Sequence, residues 1–267
     1  VEVIPDDEMG QVSIQALEEM LDDRVKLIAI THVPTNGGLV NPVVEIGKLA
    51  RNAQAYYLVD ACQSIGQMPV DVNEVACDML STTSRKFVRG PRGVGFLYVR
   101  KECIKDLEPP LLDLHSATWV EADRYEIRPD ARRFENWETN YAAKIGMGTA
   151  IDYAMDWGVE RIWKRINNLA AVFRKRLLDV SGITLHDKGV ELCGIITFTH
   201  DRIGAQEIQQ ALRSRDINVT VSSRDSTRMD MEARDLTELV RASVHYYNTE
   251  TEIEDFCTAL SEISSLS

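Results

Sequence analysis

The chain has 267 residues, 44% of them hydrophobic and 27% charged, with 42 Asp plus Glu against 30 Lys plus Arg and a formal net charge of −12. This is an ordinary composition for a globular protein with a sizeable core. It argues against nucleic acid as a partner, because gripping a phosphate backbone needs clustered basic side chains. No apolar run approaches the ~18 residues of a membrane span, no signal peptide is visible, and the five cysteines are widely spaced with no Cys-x-x-Cys pair. The expectation is therefore a cytoplasmic protein with free thiols, no metal site and no membrane partner.

Residues 1–5 (Val-Glu-Val-Ile-Pro) alternate with the period of a strand. Ser13 is placed to cap a helix that carries Ile14, Leu17, Met20 and Leu21 on one face. Residues 27–31 (Leu-Ile-Ala-Ile-Thr) form a short apolar run, which predicts a strand buried on both faces. A turn-rich stretch, His32-Val33-Pro34-Thr35-Asn36-Gly37-Gly38, follows. Asn41 is expected to cap and Pro42 to open the next helix, with Val43, Ile46, Leu49 and Ala50 inward. Further strands are predicted at residues 56–60, ending in Asp60, at 79–83, and at 96–99.

Strands and helices alternating at this spacing predict right-handed crossovers and a largely parallel sheet. From about 107 to 140 the pattern loosens into loops, and residues 141–180 read as a long helical stretch interrupted near Gly158. Strands near 194–199, 217–221 and 240–246, with a helix near 205–213, follow. Thr249 and Glu252 form a capping box for a last helix carrying Ile253, Phe256, Leu260 and Ile263. The fold class is α/β, with a large domain over residues 1–157 and a smaller C-terminal α/β domain over 158–267.

The chemistry concentrates between residues 56 and 100. Asp60 ends a strand and is followed by Cys62 and Gln63. Thr83-Ser84-Arg85-Lys86 then leads into Gly90-Pro91-Arg92-Gly93-Val94-Gly95. No Gly-Lys-Ser/Thr follows these glycines, so they are not a P-loop. A lysine among hydroxyls, an arginine and a glycine-rich turn suits an aldehyde cofactor with a phosphate handle. The amine forms a Schiff base, and hydroxyls, guanidinium and backbone N–H groups hold the phosphate. A carboxylate against the pyridine nitrogen would keep the ring electron-accepting.

The ordered set Asp-x-x-Gln, Ser/Thr-x-His/Arg-Lys and Gly-Pro-x-Gly-x-Gly resembles the class V aminotransferase family of fold-type I pyridoxal-phosphate enzymes, above all its cysteine desulfurase/selenocysteine lyase branch. The resemblance implies a mainly parallel sheet with helices on both faces, pyridoxal 5'-phosphate as cofactor, a small-molecule amino-acid substrate and a homodimer. It assigns Lys86 as the anchor of the aldimine, Asp60 to the pyridine nitrogen, Gln63 to the phenolic oxygen, and Thr83 and Arg85 to the phosphate. Where the branch has histidine this chain has Arg85, which keeps its charge and can bind phosphate in bidentate fashion. Thr35 or Asn36 matches a position that touches the ring oxygen. Arg241, in Arg-x-Ser…Tyr-Asn-Thr, matches the residue that grips the substrate carboxylate.

Several positions carry plainer or altered expectations. His32 is read as a packing histidine, Cys62 as a small buried filler, and Arg224 and Arg228 as members of a solvated loop. Thr139 is shifted by one from the family threonine that reaches across a dimer interface to the partner's phosphate. Desulfurases of the branch carry a nucleophilic cysteine where this chain has residues 222–230 (Ser-Ser-Arg-Asp-Ser-Thr-Arg-Met-Asp), and no cysteine stands there. Because a persulfide relay needs a thiolate, the expected reaction is C–S β-elimination or aminotransfer, with desulfurase-like or epimerase activity as alternatives. Nothing before Val1 supplies the family's early strands, phosphate-binding turn and stacking ring. A truncated, catalytically inactive scaffold is therefore the expectation from a different class.

Overall fold

A computed structural model describes residues 1–266. Helix α1 (Ile14–Met20) starts as expected, with Ser13 Oγ accepting from the Ala16 N–H at 3.1 Å. Residues 1–5 form no strand; only a single bridge between Asp6 and Val12 forms near this terminus. Helix α2 (Val43–Asn52) is preceded by Pro42 without a side-chain cap. Asn41 serves another purpose: its Oδ1 accepts from the Val12 N–H (3.0 Å) and its amide donates to the Thr31 carbonyl (2.8 Å). It thereby ties the N-terminal loop to the first strand.

Strands β1 (Leu27–Thr31), β2 (Tyr56–Asp60), β3 (Met79–Ser81) and β4 (Leu97–Val99) form one sheet in that order, the first three parallel and β4 antiparallel to β3. Ile28 and Ile30 of β1, Tyr57 and Val59 of β2 and Leu80 of β3 face a core shared with α1 and α2. Gly47 lets α2 approach closely, since a Cβ there would lie 2.0 Å from the Val75 carbonyl. The expectation that residues 27–31 are buried on both faces fails: Leu27, Ala29 and Thr31 point outward and are exposed. A short apolar run cannot by itself tell a strand covered twice from one covered once.

Residues 107–140, expected as loops, contain a hairpin, β5 (Ala117–Glu121) with β6 (Arg124–Ile127). Its side chains are mostly exposed. Nearby, the buried Arg133 guanidinium donates to the carbonyls of Arg128 (2.7 Å), Ile104 (2.5 Å) and Leu107 (3.2 Å), so its burial leaves no orphaned charge. Helices α3 (Tyr141–Trp157) and α4 (Val159–Leu178) are separated by Gly158 at φ 85°, where glycine alone is at ease.

The second sheet is wholly antiparallel, β7–β8–β10–β9, built from β7 (Ile183–Leu185), β8 (Ile195–His200), β9 (Thr220–Ser223) and β10 (Glu238–Ser243). β7 was not expected from the sequence, and β9 and β10 are displaced from residues 217–221 and 240–246. Helix α5 (Ala205–Arg213) falls where expected. Residues 222–230, read as a polar loop, hold the end of β9, a 3-10 turn and the start of α6 (Arg228–Ala233). Helix α7 (Glu250–Leu266) opens with the expected box: the Thr249 N–H donates to Glu252 and the Glu252 N–H to Thr249 Oγ1. Phe173, Phe198 and Phe256 meet edge-on between α4, β8 and α7. Val33, Val40, Met68 and Phe87 of the first part join this second core.

Candidate active site

The connection from β3 to β4 is a tight loop. The Thr82 N–H donates to the Phe96 carbonyl (3.1 Å), Ser84 to Val94 (3.0 Å) and Gly90 to Ser84 (2.9 Å). Gly95 permits the closure, since a Cβ there would lie 2.2 Å from the Thr82 carbonyl. Lys86 stands half-buried in this loop. Beside it the turn after β2 holds Asp60, whose Oδ1 accepts from the Cys62 N–H at 2.9 Å. Gly66, at φ 91°, packs so closely on the Phe87–Val88 peptide that a Cβ would lie 2.5 Å from Phe87 C. The two loops at the carboxyl ends of β2 and β3 are thus pressed together, the place where open α/β sheets bind ligands.

Three expected site residues, together with Cys62, act electrostatically on one amine. Burial lowers the Lys86 pKa; Cys62 and Asp60 act against this, and Arg85 and Arg241 add to it. Arg241 comes from the other sheet, in the middle of β10 between Thr197 of β8 and Thr220 of β9. Its guanidinium Nε is buried without a partner, and burial lowers its pKa. Arg85 is exposed and has no ion pair among the described residues. Two uncompensated guanidiniums in electrostatic reach of a half-buried amine are costly for a fold and useful for anions.

The turn after β1 starts beside Asp60, the His32 N–H donating to the Asp60 carbonyl at 2.9 Å. Asn36 is buried; its amide donates to Thr227 Oγ1 at 2.8 Å, and its Oδ1 has no partner. Thr35 is half-buried beside it, and Gly38 at φ 64° lies against the Ile195 carbonyl. His32 is buried, its Nδ1 unpartnered, and burial lowers its pKa to about 4, so it is neutral at pH 7. Gln63 is buried, and its carbonyl accepts from the Gln67 side chain. Thr83 is half-buried, between Thr82 and Ser84, whose hydroxyls are buried without partners.

Other candidates lie apart. Arg224 donates to the Leu236 carbonyl (2.8 Å), and Arg228 pairs with Asp225 and Glu232, so both hold the 3-10 turn and α6 in place. Thr139 precedes α3, whose cap is Asn140. Burial, then the contact with Asp60, pushes the Cys62 thiol up to about 11. One participant went unnoticed in the sequence: His245, stacked on Phe87 next to Lys86. Only its place between Arg241 and Tyr247 hinted at it.

This donor set fits an aldehyde cofactor with a phosphate handle. It offers an amine of lowered pKa, a carboxylate at a strand end, an unpaired exposed guanidinium, and buried polar atoms left open in Asn36 and Arg241. Among the described residues no group of three or more His, Cys, Asp or Glu is placed to hold a metal, and no helix is long and apolar enough to cross a membrane.

Comparison with known proteins agrees. A probable cysteine desulfurase of Methanothermobacter thermautotrophicus is 32% identical, covering 100% of this chain and 67% of the relative. One from Halalkalibacterium halodurans is 30% identical over 94% of this chain and 61% of the relative. The apo structure of a cysteine desulfurase from Thermococcus onnurineus superposes with a TM-score of 0.93 at 28% identity, over 100% of this chain and 66% of that one. The chain therefore spans about two thirds of the length of these relatives. The sequence pattern of the family Aminotransferase class-V matches residues 1–256. With that match, this site and this fold, the chain belongs to the class-V aminotransferases, pyridoxal 5'-phosphate enzymes of fold-type I.

Proposed function

We propose that this chain carries the active site of a pyridoxal 5'-phosphate enzyme that breaks a C–S bond of a cysteine-type amino acid. The observation that carries the reading is the half-buried Lys86, its pKa lowered, with Asp60, Arg85 and Arg241 in electrostatic reach. Lys86 would hold the cofactor, Asp60 its ring nitrogen, Gln63 with Thr35 or Asn36 its ring oxygen, and Thr83 with Arg85 its phosphate. When bound, the cofactor supplies an electron sink for charge that develops at the substrate α-carbon. Arg241 grips the substrate carboxylate through paired N–H donors, which fixes the Cα–H bond relative to Lys86. Lys86 Nζ, nearer neutrality than an ordinary lysine, takes the proton from Cα and would hand it to the departing thiolate sulfur as the Cβ–S bond breaks and a Cα–Cβ double bond forms. In this reading residues 1–157 are the large cofactor-binding domain and 158–267 the small substrate-gripping one. A cytoplasmic homodimer belongs to the same reading, and Tyr141, Ile145 and Met155, exposed on α3, support it.

The names of the relatives favour cysteine as substrate. Direct elimination fits this chain better than a thiol relay, because residues 222–230 contain no cysteine and are pinned by Asn36–Thr227 and by Arg228. Four of the five thiols are buried, and Cys62 is held protonated. Incubation with pyridoxal 5'-phosphate, borohydride reduction and peptide mapping test the anchor. The expected label is on Lys86 alone and is abolished in Lys86→Ala; scattered or absent labelling points to an inactive scaffold. Product analysis with L-cysteine or its S-conjugates then tests the reaction. Pyruvate with ammonia and a free thiol or sulfide marks elimination, alanine with persulfide sulfur marks desulfuration, and a 2-oxo acid retaining the side-chain sulfur marks aminotransfer.

A further inference from the structure

His245 follows β10, is 8% exposed, and stacks on two aromatic rings: Phe87, with centroids 5.4 Å apart and planes at 24°, and Tyr247, at 4.5 Å and 20°. Both ring nitrogens are engaged. Nδ1 accepts the Tyr246 N–H at 3.0 Å, and Nε2 lies 3.1 Å from the Phe87 carbonyl oxygen. An N–H only donates and a carbonyl only accepts, so the ring is neutral with its proton on Nε2. Burial lowers its pKa to about 4 against the opposing pull of the Phe87 carbonyl, and the Arg89 guanidinium acts in the same direction as burial. The His245 backbone is itself fixed, its N–H donating to Asn248 Oδ1 at 2.8 Å. Gly66, from the turn that also carries Asp60 and Gln63, approaches the same Phe87–Val88 peptide. The peptide after Lys86 is therefore held by both parts of the chain, and His245 supplies the directional contact.

We propose that His245 is a positioning residue: its Nε2–H holds the Phe87 carbonyl and so sets how deeply the Lys86 amine sits in its loop, in electrostatic reach of Asp60 and Arg241. The inference deepens the reading of Lys86 as cofactor anchor, but its test does not require the cofactor. In the cofactor-free chain with lysines carrying ¹³C-methyl groups, the Lys86 signal, identified by its loss in Lys86→Arg, is titrated by NMR. His245→Phe keeps a ring in the stack and removes the donor. The released loop then admits water, and the Lys86 titration moves up toward the ordinary lysine range. In His245→Gln the amide nitrogen reaches the place of Nε2, and the titration stays near the unaltered one. A purely packing role predicts the reverse order, and either that order or equal titrations in both variants overturns the proposal. Should the Phe variant not fold, the ¹⁵N spectrum of His245 in the unaltered chain decides. At neutral pH, a proton on Nε2 alone is expected, and one on Nδ1 is fatal. If borohydride labelling misses Lys86 while His245→Phe still moves its titration, the cofactor reading fails and the positioning role stands.

Discussion

The two sheets bury their strands differently. In β1 alternate residues are buried and exposed, whereas β8 is buried along nearly its whole length. The first sheet has α1 and α2 over one face; on its other face the 3-10 segment Lys101–Asp106 reaches Tyr56 and Met79 but leaves β1 open. The second sheet packs against its own helices and also against Val33, Val40, Met68 and Phe87 from the first part. The site lies where the two meet. The first sheet supplies loops at strand ends, which can be shaped for a ligand at little cost to a core. The second supplies Arg241 in the middle of a strand paired on both sides, which fixes the backbone that carries the guanidinium.

The contrast is broken most severely at Asp187. Its carboxylate pairs with Arg174 at 2.7 Å and accepts from the Thr197 N–H and hydroxyl at 2.8 Å each. Arg174 in turn donates to the Cys193 and Ile195 carbonyls. Asp187→Ala leaves a buried guanidinium uncompensated and should cost about 3–5 kcal/mol in urea unfolding. Acid attacks the seam next. The pKa of His32 and of His245 lies at about 4 in the folded chain, below the 6.5 of an unperturbed histidine. Between those values the unfolded chain binds more protons, so stability falls as pH drops from about 6.5 to about 4. The loss reaches roughly 3 kcal/mol per histidine, and melting temperature against pH measures it. Ser13→Ala, which removes the α1 cap over the first core, should cost about 1 kcal/mol. Leu27→Ala, on the open face of β1, should stay within about 0.5 kcal/mol, and a larger loss would mean that something covers that face.

The motif around Lys86 was legible because its parts are close in sequence and its glycines are demanded by local backbone geometry, as at Gly95. Arg241 was legible from its motif, but its approach to Lys86 depends on how a distant sheet docks. The contacts of Thr35, Asn36 and Gln63 with a cofactor belong to the proposal.

Local chemistry in the sequence was enough to determine that β2 ends at Asp60, the Ser13 and Thr249 caps, the break at Gly158 and the helix Ala205–Arg213. Each depends on interactions within a few residues. Tertiary structure alone decided that β1 is covered on one face, that Asn41 bonds across to Val12 and Thr31 rather than capping α2, and that residues 117–127 make a hairpin. It also decided that His245 reaches the peptide beside Lys86. These outcomes depend on which surfaces meet in space, and a residue's own neighbours in the chain do not encode that.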